Sequence, residues 1–183
     1  MPALLLVVTA LVTVSGILLA AASLARGHRR RARRRAAAVL AVVAAYAVAL
    51  IAVGVTSSPR RLAPGQDKCF DDWCVTLRSV ATLPGRDDVR QLTVVVTSRA
   101  RRVSQRPDGP AAYLMTDTGT MRIFLPGLDQ RLQPGQQVPL HTTLTIPAAA
   151  LAPQLLVTEG GFPSRLVIGD ENSPGHAKAT WPL

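Results

Sequence analysis

Two uncharged apolar runs open the chain, and a period-two pattern fills most of the remainder. Residues 2–25 read PALLLVVTALVTVSGILLAAASLA and residues 36–58 read AAAVLAVVAAYAVALIAVGVTSS. A helix needs about 20 apolar residues to cross the hydrocarbon core of a bilayer. Both runs reach that length, and a helix satisfies its own backbone hydrogen bonds in lipid. The pattern therefore predicts two membrane spans, at about 2–25 and 36–58.

From residue 73 onward, apolar and polar positions alternate as in strands. Trp73, Val75 and Leu77 alternate with Cys74, Thr76 and Arg78. Leu92, Val94 and Val96 alternate with Thr93, Val95 and Thr97, and Met121, Ile123 and Leu125 with Arg122 and Phe124. Val138, Leu140, Leu144 and Ile146 share one face, leaving His141 on the other. Shorter strands are expected at 112–116, 155–158, 165–168 and 177–183. Turn chemistry separates them: LPGRDD at 83–88, RPDGP at 106–110, DTGT at 117–120, LPGL at 125–128, QPGQ at 133–136 and EGGFP at 159–163. Proline presets φ there and glycine accepts positive φ. About eight short strands in this length predict an all-β domain, an immunoglobulin-like β-sandwich. The expected organisation is a membrane hairpin over 1–58, a linker over 59–67 (PRRLAPGQD) and a sandwich over 68–183.

Charge sets the expected orientation. Seven Arg fall within RGHRRRARRR at 26–35, between the two spans. The positive-inside bias places that loop in the cytoplasm. Residues 59–183, which carry every acidic residue, then lie outside the cell membrane as part of a multi-pass protein. The net charge of +10 comes mostly from this loop, since the remaining chain holds 14 basic against 11 acidic residues. Nucleic acid is therefore not an expected partner, whereas membrane lipid is, through the two spans. A cleaved signal sequence is the alternative reading of the first run, and it too exports the remaining chain. Small residues in the spans (Ser15, Gly16, 20–23, Ala44, Ala45 and Ala47) are ascribed to an Ala-rich composition. Neither span holds an Asp, Glu, Lys, Arg or His, which argues against a transporter or channel.

The segments CFDDWCVTL, VVVTSRARRVSQRPDGPAAYLMTDTGTMRIFLP and LVIGDENSPGHAKATWPL together resemble a family of bacterial extracytoplasmic domains. These are telokin-like, immunoglobulin-type domains of unknown function found behind signal sequences and membrane anchors. The resemblance covers about residues 66–183. It implies a sandwich and an external location, and it carries over no catalytic residue.

Candidate chemistry gathers in three places. Cys69 and Cys74 are the only cysteines, in a compartment expected to be oxidising, so a disulfide is the first reading. Five extended residues would span about 16 Å, and bridged Cα atoms lie within about 7 Å, so the chain must turn at Asp71 and Asp72. The alternative is a metal- or small-ligand site in which the two thiols join Asp71, Asp72 and a distant His176. Trp73 belongs to the same candidate binding segment. Asp170, Ser173 and His176 lie in IGDENSPGH, where a polar loop with local backbone bonds competes with a binding site. Arg99, Arg101, Arg102 and Arg106 form a basic run that suits either an anionic surface or ordinary pairing with Asp87, Asp88 or Asp108. Nucleophile elbow, zinc-protease, phosphate-loop and dinucleotide motifs are all missing. The reading is a non-enzymatic, cofactor-free interaction module with an envelope protein as its expected partner.

Overall fold

The computed structural model describes residues 2–70, 72–160 and 164–183. The chain divides into two compact units. One joins Met1–Ser58 to Phe162–Ala177, and the other joins Pro59–Gly161 to Lys178–Leu183.

In the first unit, helix α1 (Pro2–Ala25) and helix α2 (Arg29–Thr56) are both long and apolar enough to cross a membrane. The turn between them is shorter than the expected ten-residue loop. Gly27 takes φ +77°. The Gly27 N–H bonds Leu24 O at 2.9 Å and the His28 N–H bonds Ser23 O at 2.9 Å. This is the glycine-closed helix end in which two amides satisfy the last carbonyls. Residues 29–35 are helical, because Arg and Ala are both strong helix formers. Arg35 reaches back to α1, donating to Leu19 O at 2.8 Å and to Ser23 Oγ at 2.5 Å. Composition alone does not account for Gly16: a Cβ there would collide with the Val39 side chain. Small residues permit such close helix approach.

The same unit contains residues 164–177. Arg165–Ile168, expected as a strand, instead follows a single 3₁₀ turn at Ser164–Leu166. Its backbone packs on a helix, so it has no ladder to join. The Tyr46 hydroxyl donates to Leu166 O at 2.5 Å, and the Ala177 N–H donates to Ser57 Oγ at 2.6 Å.

The second unit has two sheets. Its strands are β1 (Arg60–Arg61), β2 (Asp67–Phe70), β3 (Trp73–Leu83), β4 (Arg86–Ser98), β5 (Ala111–Thr116), β6 (Gly119–Ile123), β7 (Gln137–Thr145), β8 (Gln154–Thr158) and β9 (Ala179–Pro182). Five form a sheet in the order β1-β9-β8-β5-β6, and four form a sheet in the order β2-β3-β4-β7. Neighbours are antiparallel except for β1 beside β9.

The two inner faces share one core, which makes the unit a β-sandwich. Val75, Leu77, Leu92, Val94, Val96 and Leu140 come from the four-stranded sheet, and Ala112, Leu114, Leu155, Val157 and Trp181 from the five-stranded one. Trp181 is completely buried, with its indole N–H on Gln66 O at 3.3 Å. Leu62, within the stretch read as linker, is part of this core, and Arg60–Arg61 pair with Ala179–Thr180. The alternation in β4 is seen as expected, with Leu92, Val94 and Val96 buried. In β3, Trp73 through Leu77 are all buried, and a bulge at Arg78 then shifts the phase, so that Val80 opposes Leu92. A bulge inserts one residue on one strand and reverses which side chains face inward.

Candidate functional site

The CFDDWC segment is the tip of the β2–β3 hairpin. Cys69 and Cys74 are direct cross-strand partners and are joined in a disulfide. Phe70 and Trp73 are the next pair, with rings stacked at 4.9 Å between centroids. Lys68 lies over the Phe70 ring at 5.3 Å from its centroid, and its Nζ donates to Ala179 O at 3.0 Å. Asp71 lies outside the described residues. Asp72 serves the backbone and a neighbour: its carbonyl accepts the Arg99 N–H at 2.6 Å, and its carboxylate accepts Gln105 Nε2 at 3.1 Å.

Asp67, Cys69 and Cys74 bring possible ligand atoms within 4.8 Å of one another. The arrangement does not suit a thiolate site, because both sulfurs are consumed by the disulfide. Asp67 is engaged as well, accepting Thr76 Oγ1 at 2.5 Å and pairing with Arg99 at 3.0 Å. His176, considered with Asp71 and Asp72, belongs to the helical unit, whereas Asp72 belongs to the sandwich. Asp170 and Ser173 make local bonds. The Asn172 N–H donates to Asp170 Oδ1 at 2.7 Å, and the Ser173 hydroxyl donates to Asp170 O at 2.6 Å.

The basic run is divided. Arg99 pairs with Asp67, and Arg106 pairs with Asp129 at 3.2 Å, rather than with Asp87, Asp88 or Asp108. Arg101 and Arg102 are exposed on the loop that comes after β4, beside Val103, which is 68% exposed.

Sequence reasoning missed a different feature. Strands β6 and β7 are each the last strand of their sheet. Both border one cleft, lined by Met121, Ile123 and Phe124 on one side and Thr142–Thr145 on the other. Met121 opposes Leu114, and Ile123 opposes Ala112, so both project to the inner face of their sheet. Such residues are normally covered by the facing sheet, yet Met121 is 49% exposed. Phe124, just past β6, is 83% exposed. Phe124 also borders a second cleft of about 570 Å³, whose rim carries Arg106, Asp108, Arg122 and Asp129. The Thr142 hydroxyl holds the turn by donating to Phe124 O at 3.4 Å. Among the described residues the β6 edge is thus unpaired, with the inner-facing Met121 half exposed beside it. Alternation identifies Met121 and Ile123 as inward, and Ile123 packs partly against the core, but only the strand order reveals that Met121 is left half exposed.

No protein-family model matches the chain, and no curated protein matches it. A solved structure described as an uncharacterized beta-sandwich protein from Clostridium difficile 630 is similar at 6% sequence identity with a TM-score of 0.38. That match covers 69% of this chain and 95% of the other.

Proposed function

We propose that this chain is a membrane-anchored, non-enzymatic interaction module. Its two helices hold an immunoglobulin-like, telokin-like sandwich on the outer side of the cell membrane. The sandwich takes a partner polypeptide as an added strand along β6.

The observation that carries this reading is the exposure of Met121 and Phe124 beside a strand edge that has no second neighbour among the described residues. Isolated domains usually cover or charge such an edge, because its free N–H and C=O groups template pairing. An extended peptide adds main-chain hydrogen bonds there and places alternate side chains in pockets. The fitting partner is an extended segment with an apolar residue at every second position, to cover Met121 and Ile123. An acidic residue on its other face would meet Arg122, which is exposed at the rim. The metal- or small-ligand reading of the CFDDWC segment is not favoured, since a disulfided pair offers no thiolate.

A photo-crosslinking residue in place of Phe124, in intact membranes, is expected to capture a discrete polypeptide. The same residue at Pro84, in the β3–β4 turn, is expected not to. Equal capture from both positions, or none from either, would contradict the site. Turnover by the purified chain that is lost on changing Asp72 or His176 would contradict the non-enzymatic reading.

A further inference from the structure

We infer that residues 164–177, the connection between β8 and β9, form a wedge that enters the outer lipid leaflet beside α2. This rests on reading the two helices as membrane spans. Leu166, Val167 and Ile168 are the apolar part of the wedge, preceded by the exposed Arg165, whose charge must reach the leaflet surface or a polar partner.

The receiving surface is one face of α2. Tyr46, Leu50, Gly54 and Ser57 succeed one another at spacings of four, four and three, so they line up along the helix. Each meets the segment or is covered. Tyr46 bonds Leu166 O, and Ser57 Oγ accepts the Ala177 N–H. Leu50 is buried. Gly54 meets the Pro174 carbonyl so closely that a Cβ would have no room.

The contacts are ordered along the helix axis. Leu166 lies at the level of Tyr46, Gly169 beside Val53, Gly175 beside Val55, and Ala177 at Ser57. At about 1.5 Å per residue, Tyr46 lies about 16 Å below Ser57. That is about half the hydrocarbon thickness of a bilayer. The apolar residues 166–168 are therefore the deep ones. The polar residues 170–173 lie between contacts to Val53 and Gly54, near the end of the helix.

Two further features fit lipid. Backbone at that depth must satisfy its own polar groups. Here the N–H groups of Val167, Asp170, Ser173 and His176 bond the carbonyls of Ser164, Val167, Asp170 and Ser173 at 3.0–3.2 Å, a run of linked turns. Tyr46 is the one polar side chain between Ala36 and Val55. A phenolic hydroxyl in hydrocarbon needs a partner, and the Leu166 carbonyl supplies it.

The test uses the full chain reconstituted in phosphatidylcholine vesicles, with spin labels at Leu166→Cys, Val48→Cys and Pro174→Cys in separate samples. The native cysteines are bridged and leave the labels unique. The ratio of oxygen to nickel-chelate accessibility is read at each site. The expected result is a ratio at 166 close to that at 48 and several-fold above that at 174. A ratio at 166 equal to that at 174, with 48 still lipid-like, overturns the wedge while leaving the spans. Water-like ratios at all three sites overturn the wedge together with the membrane reading on which it rests.

Discussion

Cys69 and Cys74 show how far single residues carry the account. Their spacing requires a turn, and the structure places them as directly opposed partners in a hairpin. So short a loop restrains the unfolded chain only modestly, by about 2 kcal/mol in the chain-entropy model. Cys69→Ser with Cys74→Ala is therefore expected to lower unfolding stability by about that amount without loss of fold, as checked by denaturant titration in detergent. Loss of folding instead would show that the bridge organises the hairpin.

Asp88 gives a pH prediction. Its hydrogen bond from Arg86, at 3.2 Å, holds its carboxyl below the ordinary carboxylate value. Ionised Asp88 thus favours the folded chain. The contribution is fully present above the ordinary carboxylate range and is lost as pH falls through the lowered folded value. Because the pair is exposed, the effect is small. Asp88→Asn is expected to lower Tm slightly at neutral pH and to leave it unchanged in strong acid. An equal deficit at both pH values would assign the residue a role unrelated to its charge.

At the scale of elements, the alternation and the turns are largely legible. The Pro-Gly turn at Pro84–Gly85 and the turn at Asp117–Thr118 join the strands that the alternation predicts on either side of them. The bulge at Arg78 is not legible, because an inserted residue breaks period two without leaving a compositional mark. Deleting Arg78 would leave Leu77 opposite Val94 and Ser79 opposite Thr93, in continuous register. That deletion is expected to keep the fold and to be far milder than Leu77→Ala, which should cost about 2–5 kcal/mol. A deletion as damaging as Leu77→Ala would mean that the bulge itself is required.

Arg165–Ile168 departs from its expected strand for a related reason. Four residues with three apolar side chains suit a strand or a helix-packed turn equally, and a contact distant in sequence decides between them. The fit between that segment and α2 is sharp at Gly54. Gly54→Leu is expected to displace residues 164–177 and to expose them to protease in reconstituted vesicles. Unchanged protection would show that Gly54 is not what seats the segment.

At the scale of the whole molecule, charge and hydropathy read a change from a helical part to a sheet part at about residue 58, whereas the compact units are Met1–Ser58 with Phe162–Ala177 and Pro59–Gly161 with Lys178–Leu183. They do not show that residues 164–177 return to the helical unit, since a crossing between units leaves no local periodicity. The candidate site is the least legible part. Met121, Arg122 and Phe124 look like an ordinary strand end until β6 and β7 are both found to be edges. Exposure there is a property of strand order, which arises from pairings among segments far apart in the chain.

The central claim is that the helices span the membrane and the sandwich faces outward. It is tested most directly by labelling intact cells with a membrane-impermeant maleimide. His28→Cys reports on the turn between the helices and Pro84→Cys on the sandwich, while the native cysteines stay silent in their disulfide. The account predicts labelling at position 84 in intact cells and at position 28 only after permeabilisation. Labelling at 28 with protection at 84 would invert the topology and contradict the account.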